Sequence, residues 1–223
     1  GMETVNLDLI FGTAGESMSS WVDTVLTAVG LETEHLSAYA LTVERGTELS
    51  RQVAGGAPGP DNDDQADKYE SFVATVGLPH YEVSNWARPG HECRYNLTTW
   101  AQGDYVAFGI GAHSHRNGVR SRNYRRLDQY LSLVEEGRSP VQATERLENW
   151  EKEKERLFLG LRLRRGVASG TAGAMLLDSP IGRRFVAAGV IASDDDRLLV
   201  LRPLLTDAVA REALALEPPP DCS

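Results

Sequence analysis

The chain has 223 residues, enough for one large domain or for a medium and a small one. Hydrophobic residues make up 41% and charged residues 25%, as in ordinary globular proteins, and no apolar run approaches the roughly 18 residues of a membrane span. The net charge of -9 argues against general nucleic-acid binding, which needs clustered Lys and Arg. Two cysteines and no export signal predict a cytoplasmic protein without a membrane partner.

The first elements predict a parallel α/β sheet. Residues 5–11 form an apolar run typical of a strand that is covered on both faces. Ser17 or Ser19 then caps a helix that ends near Val29, and residues 35–42 form the next strand. Strand, helix and strand in this order predict a βαβ unit. The helix directs an apolar stripe inward, formed by Trp21, Val25, Leu26 and Val29.

The middle of the chain continues with helices and strands. A short helix after Gly46 and a loop rich in Gly and Pro at 55–60 precede a helix with an acidic first turn. The predicted segments are a helix at 61–76, a strand at 81–84, a functional loop at 88–100, a strand at 105–108, a hairpin strand at 119–124 and a helix at 127–136. The last of these closes the first domain, which we expect to end at residue 146.

A second, smaller domain is predicted from residue 147 onward. A charged helix comes first, followed by short segments and a hairpin at 190–201 with an acidic tip. Short helices with a hairpin suggest a winged-helix-like module. Residues 147–217 hold eleven basic and eleven acidic residues, which favours a packing role over nucleic-acid binding. The apolar side of the helix is formed by Leu157, Phe158, Leu161 and Leu163.

The segment 104–117 predicts a buried strand that opens into a glycine-rich turn. Gly109 and Gly111 have no Cβ, so the backbone can take positive φ and a ligand can approach the main chain. His113 and His115 then follow at the end of the strand. Because ligands bind at the carboxyl ends of strands in α/β sheets and barrels, we expect a binding site there.

A known family shares four segments of this sequence. They are residues 5–12, 36–42, 81–100 and 104–117. Together they resemble the oxygen-independent coproporphyrinogen III oxidase-like family of radical S-adenosylmethionine (SAM) proteins. Residues 8–12, Asp-Leu-Ile-Phe-Gly, look like the family's Asp-Leu-Ile-Tyr-Gly segment, and 81–94 closely resembles the haem-chaperone branch.

The resemblance implies an α/β fold with a partial radical SAM (TIM-like) barrel of βα units and a small helical, winged-helix-like C-terminal domain. Residues 1–146 are then the C-terminal half of the barrel, 147–217 the helical domain and 218–223 a disordered tail. Oxidase members of the family reduce SAM to a 5′-deoxyadenosyl radical that leads to decarboxylation of a substrate propionate. The parent protein is thus expected to act in porphyrin or haem metabolism.

The resemblance also implies a SAM pocket. Its residues are Asp8, Gly12, Thr42, Gly109, Gly111 and His115. Asp8 lies within the first predicted strand, where a buried carboxylate needs a partner. The competing interpretation is structural, with Asp8 bonded to a neighbouring backbone turn.

The haem-chaperone branch continues with His-Asn-x-x-Tyr-Trp, a motif linked with haem. This chain has Tyr95 in place of the histidine and Thr99 in place of the tyrosine. A phenolate can ligate ferric haem, although imidazole is the commoner axial ligand. Tyr95, His91 and His113 are therefore the candidate haem residues, with Cys93 as a further substitute. Polar loop residues or packed histidines are the competing interpretation for each of them.

Radical SAM chemistry needs a 4Fe-4S cluster held by three thiolates in a C-x-x-x-C-x-x-C loop. This chain has only Cys93 and Cys222, so we expect no cluster chemistry from it alone. The resemblance covers the later half of the family's length and predicts a C-terminal portion, either a truncated gene product or an expressed fragment. Gly1 before Met2 has the character of a cloning remnant.

Three further hypotheses concern partners. An open barrel edge at residues 5–11 predicts a homodimer in which a second copy covers it. The alternative to the enzyme family is a non-enzymatic protein that holds haem or a porphyrin. A nucleic-acid binder that uses Arg183 and Arg184 is the third option, which the acidic composition disfavours.

Overall fold

A computed structural model of the chain describes residues 4–219. The chain divides into two compact units, Gly1–Glu92 and Cys93–Ser223, and each is described by itself. The predicted domain boundary at residue 146 stays a prediction. Most of the predicted disordered tail, residues 220–223 with Cys222, lies outside the described residues.

The first unit contains the predicted βαβ arrangement. Strand β1 (Asn6–Phe11) pairs in parallel with β2 (His35–Ala40), and helix α1 (Met18–Gly30) connects them. Ser17 caps α1, since its hydroxyl accepts a hydrogen bond from the amide of Ser20 at 3.1 Å. The prediction of a βαβ unit is therefore confirmed, although β2 ends two residues earlier than expected.

The other half of this sheet is antiparallel. Short strands β3 (His80–Glu82) and β4 (Asn85–Ala87) form a hairpin, and the strand order is β1-β2-β4-β3. The single strand predicted at 81–84 is wrong, because the chain turns back at residues 83 and 84. The carbonyl of Ser84 in that turn accepts a hydrogen bond from the amide of Ala38, at 2.9 Å.

Helices cover one face of the first sheet. After the short helix α2 (Glu48–Ala54), helix α3 (Asn62–Thr75) lies at the predicted position and packs against α1 and β2. Their core is aromatic, with Trp21, Phe72 and Trp86 almost fully buried. Leu26 is exposed, which corrects its predicted place in the inward stripe. The buried positions of α1 are Trp21, Val25 and Ala28, and this i, i+4, i+7 face leaves Leu26 outside it.

The opposite face of β1 is open, contrary to the expectation that both faces are covered. Leu7, Leu9 and Phe11 point toward the helices, whereas the alternating residues Asn6, Asp8 and Ile10 are exposed. Ile10 keeps 56% of its surface accessible. An apolar run alone does not show whether a second layer exists, and this explains the error.

The second unit begins with helix α4 (Arg94–Trp100), where the sequence predicts a loop. A three-stranded antiparallel sheet follows, with β5 (His113–Arg116) next to β6 (Val119–Asn123) and β6 next to β7 (Val141–Arg146). Helix α5 (Leu127–Glu135) connects β6 to β7 at the predicted position. Strand β7 has no counterpart in the prediction.

The C-terminal segment combines helices with a small sheet. Its helices are α6 (Asn149–Gly160), α7 (Gly170–Asp178), α8 (Pro180–Ala187) and α9 (Thr206–Leu214), and its strands are β8 (Val167–Ala168), β9 (Ile191–Asp194) and β10 (Arg197–Val200). Strand β10 pairs with both β8 and β9, so the predicted hairpin with an acidic tip is confirmed. Leu157, Leu176 and Leu198 form the centre of its core. No helix within residues 4–219 has the length and apolar character required to span a bilayer.

Candidate functional site

Polar side chains on the open face of the first sheet are connected by hydrogen bonds. Asn6 and Asp8 project from β1 beside His35 and Ser37, their register partners on β2. Nδ2 of Asn6 donates to Oδ1 of Asp8 over 2.8 Å. Oδ1 of Asn6 accepts from the Ser37 hydroxyl at 3.2 Å and lies 2.6 Å from Nδ1 of His35.

The hydrogen-bond partners define the protonation state of His35. Because Oδ1 of Asn6 is an acceptor, Nδ1 of His35 carries the hydrogen, and Nε2 accepts from the hydroxyl of Tyr81 at 2.8 Å. Burial lowers the pKa of His35, which is 4% exposed, and the carboxylates of Asp8 and Glu92 oppose this effect. A neutral imidazole thus joins Tyr81 to the Asn6–Asp8 pair.

Asp8 has a different environment from the one expected. Its side chain is exposed, so the carboxylate does not incur the predicted cost of burial. Its partner is the side chain of Asn6, not a backbone turn. The carboxylate is thereby oriented on the open face, where it can accept further hydrogen bonds from a ligand.

Hydrogen bonds to residues of the first unit fix the loops that follow β1 and β2. Gly12 has φ of +80°, and its amide donates to Oε2 of Glu16 at 2.8 Å. Nε2 of Gln65, on α3, donates to the carbonyl of Leu41 at 2.9 Å. A Cβ on Gly12 would overlap the Gln65 side chain. Thr42 is exposed beside Leu41.

Lys68 connects the first of these loops to α3. Its side chain has no exposed surface, and its ammonium donates to the carbonyl of Glu16 at 2.7 Å and to Asp64 at 2.6 Å. Burial disfavours the ammonium, but the hydrogen bonds with Asp64 and Glu16 outweigh burial, so the pKa of Lys68 lies above its ordinary value. The ion pair therefore orders the turn that contains Gly12.

The glycine-rich segment of the second unit is not a buried strand. Residues 105–112 form only an isolated bridge between Tyr105 and His115, and Phe108 is 85% exposed. The predicted strand at 105–108 is therefore wrong. The amide of Gly109 donates to the hydroxyl of Tyr130, and its carbonyl accepts a hydrogen bond from an asparagine side chain on β6. These side chains supply the hydrogen bonds that a neighbouring strand would otherwise provide.

The two glycines of this turn have the predicted backbone geometry. Gly109 has φ of +100° and Gly111 has φ of +64°, conformations that disfavour side chains with a Cβ. The histidines that follow lie on strand β5, and β6 pairs with β5, not with residues 105–108. The prediction of a hairpin at 119–124 thus identified one strand correctly and its partner incorrectly.

Aromatic side chains surround His115. Tyr105 lies opposite His115 across the bridge, with the ring centroids 6.3 Å apart, and Tyr95 of α4 makes an edge contact with Tyr105 at 5.7 Å. Nδ1 of His115 lies 3.0 Å from the carbonyl of Gly103, so this nitrogen carries a hydrogen and donates it to the carbonyl. Burial raises the pKa of Tyr105, and the phenol of Tyr95 adds to the increase.

The remaining candidates for haem binding are His91, Cys93 and His113. Nδ1 of His91, in the first unit, lies 3.0 Å from Oγ1 of Thr4. Cys93 directly precedes α4, and His113 is exposed on β5. Within residues 4–219, no three or more His, Cys, Asp or Glu side chains are grouped to hold a metal ion.

Known proteins match the chain over nearly its whole length. It is 38% identical over 220 residues to the Heme chaperone HemW of Mycobacterium tuberculosis, a match that covers 96% of this chain and 56% of the relative. It is 34% identical over 172 residues to the HemW of Bacillus subtilis, with 75% of this chain and 45% of the relative covered. The chain is a partial HemW/HemN-like protein.

A solved structure supports the fold of this HemW/HemN-like chain. Coproporphyrinogen III oxidase (HemN) from Escherichia coli, described as a radical SAM enzyme, superposes with a TM-score of 0.75. The match covers 96% of this chain and 55% of HemN at 16% identity, so it shows the fold alone. A scan against family models gave no match. The chain spans about half the length of the curated relatives that it matches.

The HemW/HemN-like chain does not have the residues that a 4Fe-4S cluster needs. Such a cluster is usually held by cysteine thiolates, and two cysteines cannot supply the three ligands of the family's loop.

Sequence reasoning missed the hydrogen-bonded polar side chains of the first sheet. Asn6 and Tyr81 belong to segments that the family resemblance covers, and His35 directly precedes one of them, yet none was a candidate. The strand alternation of Asn6 and Asp8 was the available signal, because it places both side chains on one face.

Proposed function

We propose that the chain is part of a haem chaperone of the HemW kind and that it contributes the haem-binding surface. The observation that carries this proposal is the 38% identity to HemW over 96% of the chain. The relatives' name supplies the ligand class, haem. Oxidase chemistry on coproporphyrinogen is the second candidate within the same family, supported by the likeness to HemN.

Haem binding is assigned in this proposal to Tyr95, His91 and His113. Tyr95 is 55% exposed and lies beside Tyr105, so an aromatic surface accompanies its phenolic oxygen. A phenolate binds ferric iron directly. Stacking of the flat macrocycle against aromatic rings is a further source of affinity.

SAM binding in the intact protein is assigned to the residues that the family resemblance indicates. They are Asp8, Gly12, Thr42, Gly109, Gly111 and His115. The oriented carboxylate of Asp8 supports this role, because a carboxylate accepts hydrogen bonds from hydroxyl or ammonium groups. The cluster that activates SAM requires cysteines from outside this chain.

The finer architecture is part of the same proposal. Residues 1–146 would form a partial barrel of βα units and 147–217 a winged-helix-like domain, in a protein of the cytoplasm. We also propose a homodimer in which a second copy covers the open edge at β1, since Ile10 and Tyr39 are exposed apolar residues there. Sedimentation analysis tests the homodimer, and a monomer at all concentrations would exclude it.

Titration with hemin tests the proposed function. We expect a saturable shift of the Soret absorption at about one hemin per chain, with the charge-transfer absorption of a ferric phenolate complex. Tyr95→Phe should remove that phenolate absorption, whereas the matched control Tyr39→Phe, an exposed tyrosine of the first unit, should not. Absence of saturable binding by the folded wild-type chain would refute the haem-binding proposal.

The alternative is a haem-binding protein without any link to radical SAM chemistry. The similarity to HemW and the fold likeness to HemN disfavour it. Hemin binding by this chain does not separate the two, so SAM binding is the second measurement. Tighter binding of SAM once the missing cluster-bearing part is supplied supports the radical SAM assignment.

A further inference from the structure

A groove of about 430 Å³ lies on the three-stranded sheet of the second unit. Residues of all three strands line it, among them His113, Arg122 and Ala143. His113 pairs with Arg122 and Arg122 with Ala143 in the strand register, so their side chains project from the same face. The small side chain of Ala143 leaves space beside the guanidinium.

The guanidinium of Arg122 has few hydrogen-bond partners among the described residues. Its Nε is buried without a hydrogen-bond partner among the described residues, and its Nη2 has one long contact, 3.4 Å, to Oε1 of Gln142. Between residues 4 and 219, no carboxylate lies within ion-pair distance of Arg122. A buried N–H that is left without an acceptor costs free energy.

The neighbouring arginine shows the contrast. Arg120, two residues earlier on β6 and on the same face, forms ion pairs with Glu145 and Glu155. The carboxylate of Glu145, which also lines the groove, is therefore already paired with a cation. A guanidinium with unused donors beside an imidazole is suited to a carboxylate or another oxyanion, because Arg binds such groups in bidentate fashion.

We infer that this groove binds a carboxylate of a planar ligand, with Arg122 and His113 as its partners. The inference rests on the proposed haem function and deepens it, since haem carries two propionate groups. His115 lies on the same face two residues along β5, about 7 Å away. Beside it is Tyr105, which in turn contacts the exposed Tyr95. The macrocycle would pack on the aromatic cluster while a propionate enters the groove.

Two ligands that differ only in their carboxylates test the inference. Hemin and hemin dimethyl ester share the iron and the macrocycle, but the ester has no carboxylate. We expect Arg122→Gln to weaken binding of hemin about tenfold and to leave binding of the ester unchanged. The matched control is Arg116→Gln, which removes the same charge from the opposite face of β5 and should bind both ligands as the wild type does.

Equal weakening of hemin and ester binding by Arg122→Gln would overturn the inference, because a general structural effect then explains it. So would an unchanged affinity for hemin in a folded Arg122→Gln protein. Folding is checked by the circular dichroism spectrum and the unfolding midpoint of each variant.

A second probe separates this inference from the haem proposal. The Nε–H resonance of Arg122, assigned by its loss in Arg122→Gln, should shift on addition of glutarate and stay in place with dimethyl glutarate. A glutarate-dependent shift without hemin binding keeps the carboxylate site and rejects haem as its ligand. A resonance that shifts with neither glutarate nor hemin refutes the site itself. Tighter binding of inorganic phosphate than of glutarate would overturn the carboxylate assignment and identify a phosphate site.

Discussion

The Nδ1 atom of His35 lies 2.6 Å from Oδ1 of Asn6, and this contact connects two neighbouring parallel strands on their open face. Asn6 in turn donates to Asp8, so the tautomer of a buried imidazole determines how the exposed carboxylate is oriented. Protonation of the ring would give Nε2 a hydrogen and remove its acceptor for the Tyr81 hydroxyl. The lowered pKa of His35 favours the neutral ring, which keeps this acceptor.

The lowered pKa of His35 predicts that the chain loses stability in mild acid. The unfolded chain takes up a proton near pH 6.5, whereas the folded chain takes it up only at lower pH. The contribution is fully present above about pH 6.5 and decreases as the pH falls toward the folded pKa. Urea unfolding between pH 5 and 8, followed by tryptophan fluorescence, measures the slope.

His35→Gln is the control for this pH dependence. Glutamine keeps a donor and an acceptor but does not titrate, so the variant should be less stable at pH 7 and have a shallower slope below pH 6.5. Identical slopes in variant and wild type would show that other groups cause the loss.

The buried ammonium of Lys68 predicts a large effect of Lys68→Met. Methionine fills the space, but Asp64 and Glu16 lose their cation, so we expect a loss of about 2–3 kcal/mol in the free energy of unfolding, since Asp64 is partly exposed. The control Arg51→Gln breaks an exposed ion pair with Glu48 and should cost less than about 1 kcal/mol. Equal losses in the two variants would contradict this account.

The raised pKa of Lys68 gives the same ion pair a signature at high pH. A folded pKa above the unfolded value of 10.5 means that the stabilisation is fully present below that pH. It decreases as the pH rises through the folded pKa. Unfolding measured between pH 9 and 11 should therefore show a decline in the wild type that is smaller in Lys68→Met.

Two adjacent residues of α6 are buried to different extents in the C-terminal core, and this predicts different losses in the free energy of unfolding when each is replaced by alanine. Leu157 is fully buried, whereas Phe158 is only partly buried against the same cluster. Leu157→Ala should cost about 3 kcal/mol through lost contacts and a cavity, and Phe158→Ala about half of that. Urea unfolding of both variants compares them, and a larger loss for Phe158→Ala would place the core on the other side of α6.

Local patterns predicted the helices of the first unit and its βαβ arrangement because their causes are local. Ser17 and the acidic first turn at Asp61 are signals that a single segment carries. The exposed face of β1 and the irregular path of residues 105–112 depend on which neighbours are present, and no single segment contains that information. Strand β7 was missed because all its residues are exposed and it has no apolar alternation.

The candidate site was predictable to a smaller extent. Motif matching indicated Asp8 and the glycine turn, but it could not show that Asn6 holds Asp8 or that Nε of Arg122 has no hydrogen-bond partner among residues 4–219. Such facts depend on strand register, since a shift by one residue exchanges the two faces of a strand. Counting charges could not distinguish Arg120 from Arg122 either. Both are arginines of β6, and only the structure shows that Arg120 forms ion pairs with two carboxylates.

The turn after β1 predicts that two glycines with the same backbone geometry differ in their tolerance of alanine. Gly12 has φ of +80° and Gly15 has φ of +81°, so the strain of a Cβ in the left-handed region, about 1–2 kcal/mol, is common to both. Nothing lies within 4 Å of a Cβ on Gly15, whereas one on Gly12 would overlap Gln65 and displace its hydrogen bond to Leu41.

We therefore expect Gly12→Ala to lower the free energy of unfolding by about 1 kcal/mol more than Gly15→Ala. The double variant Gly12→Ala/Gln65→Ala identifies the cause, because removal of the glutamine side chain relieves the overlap and makes the two losses less than additive. Urea unfolding of the four proteins measures this coupling. Strict additivity, or equal losses at Gly12 and Gly15, would mean that backbone strain alone determines the cost and that Gln65 does not restrict the turn.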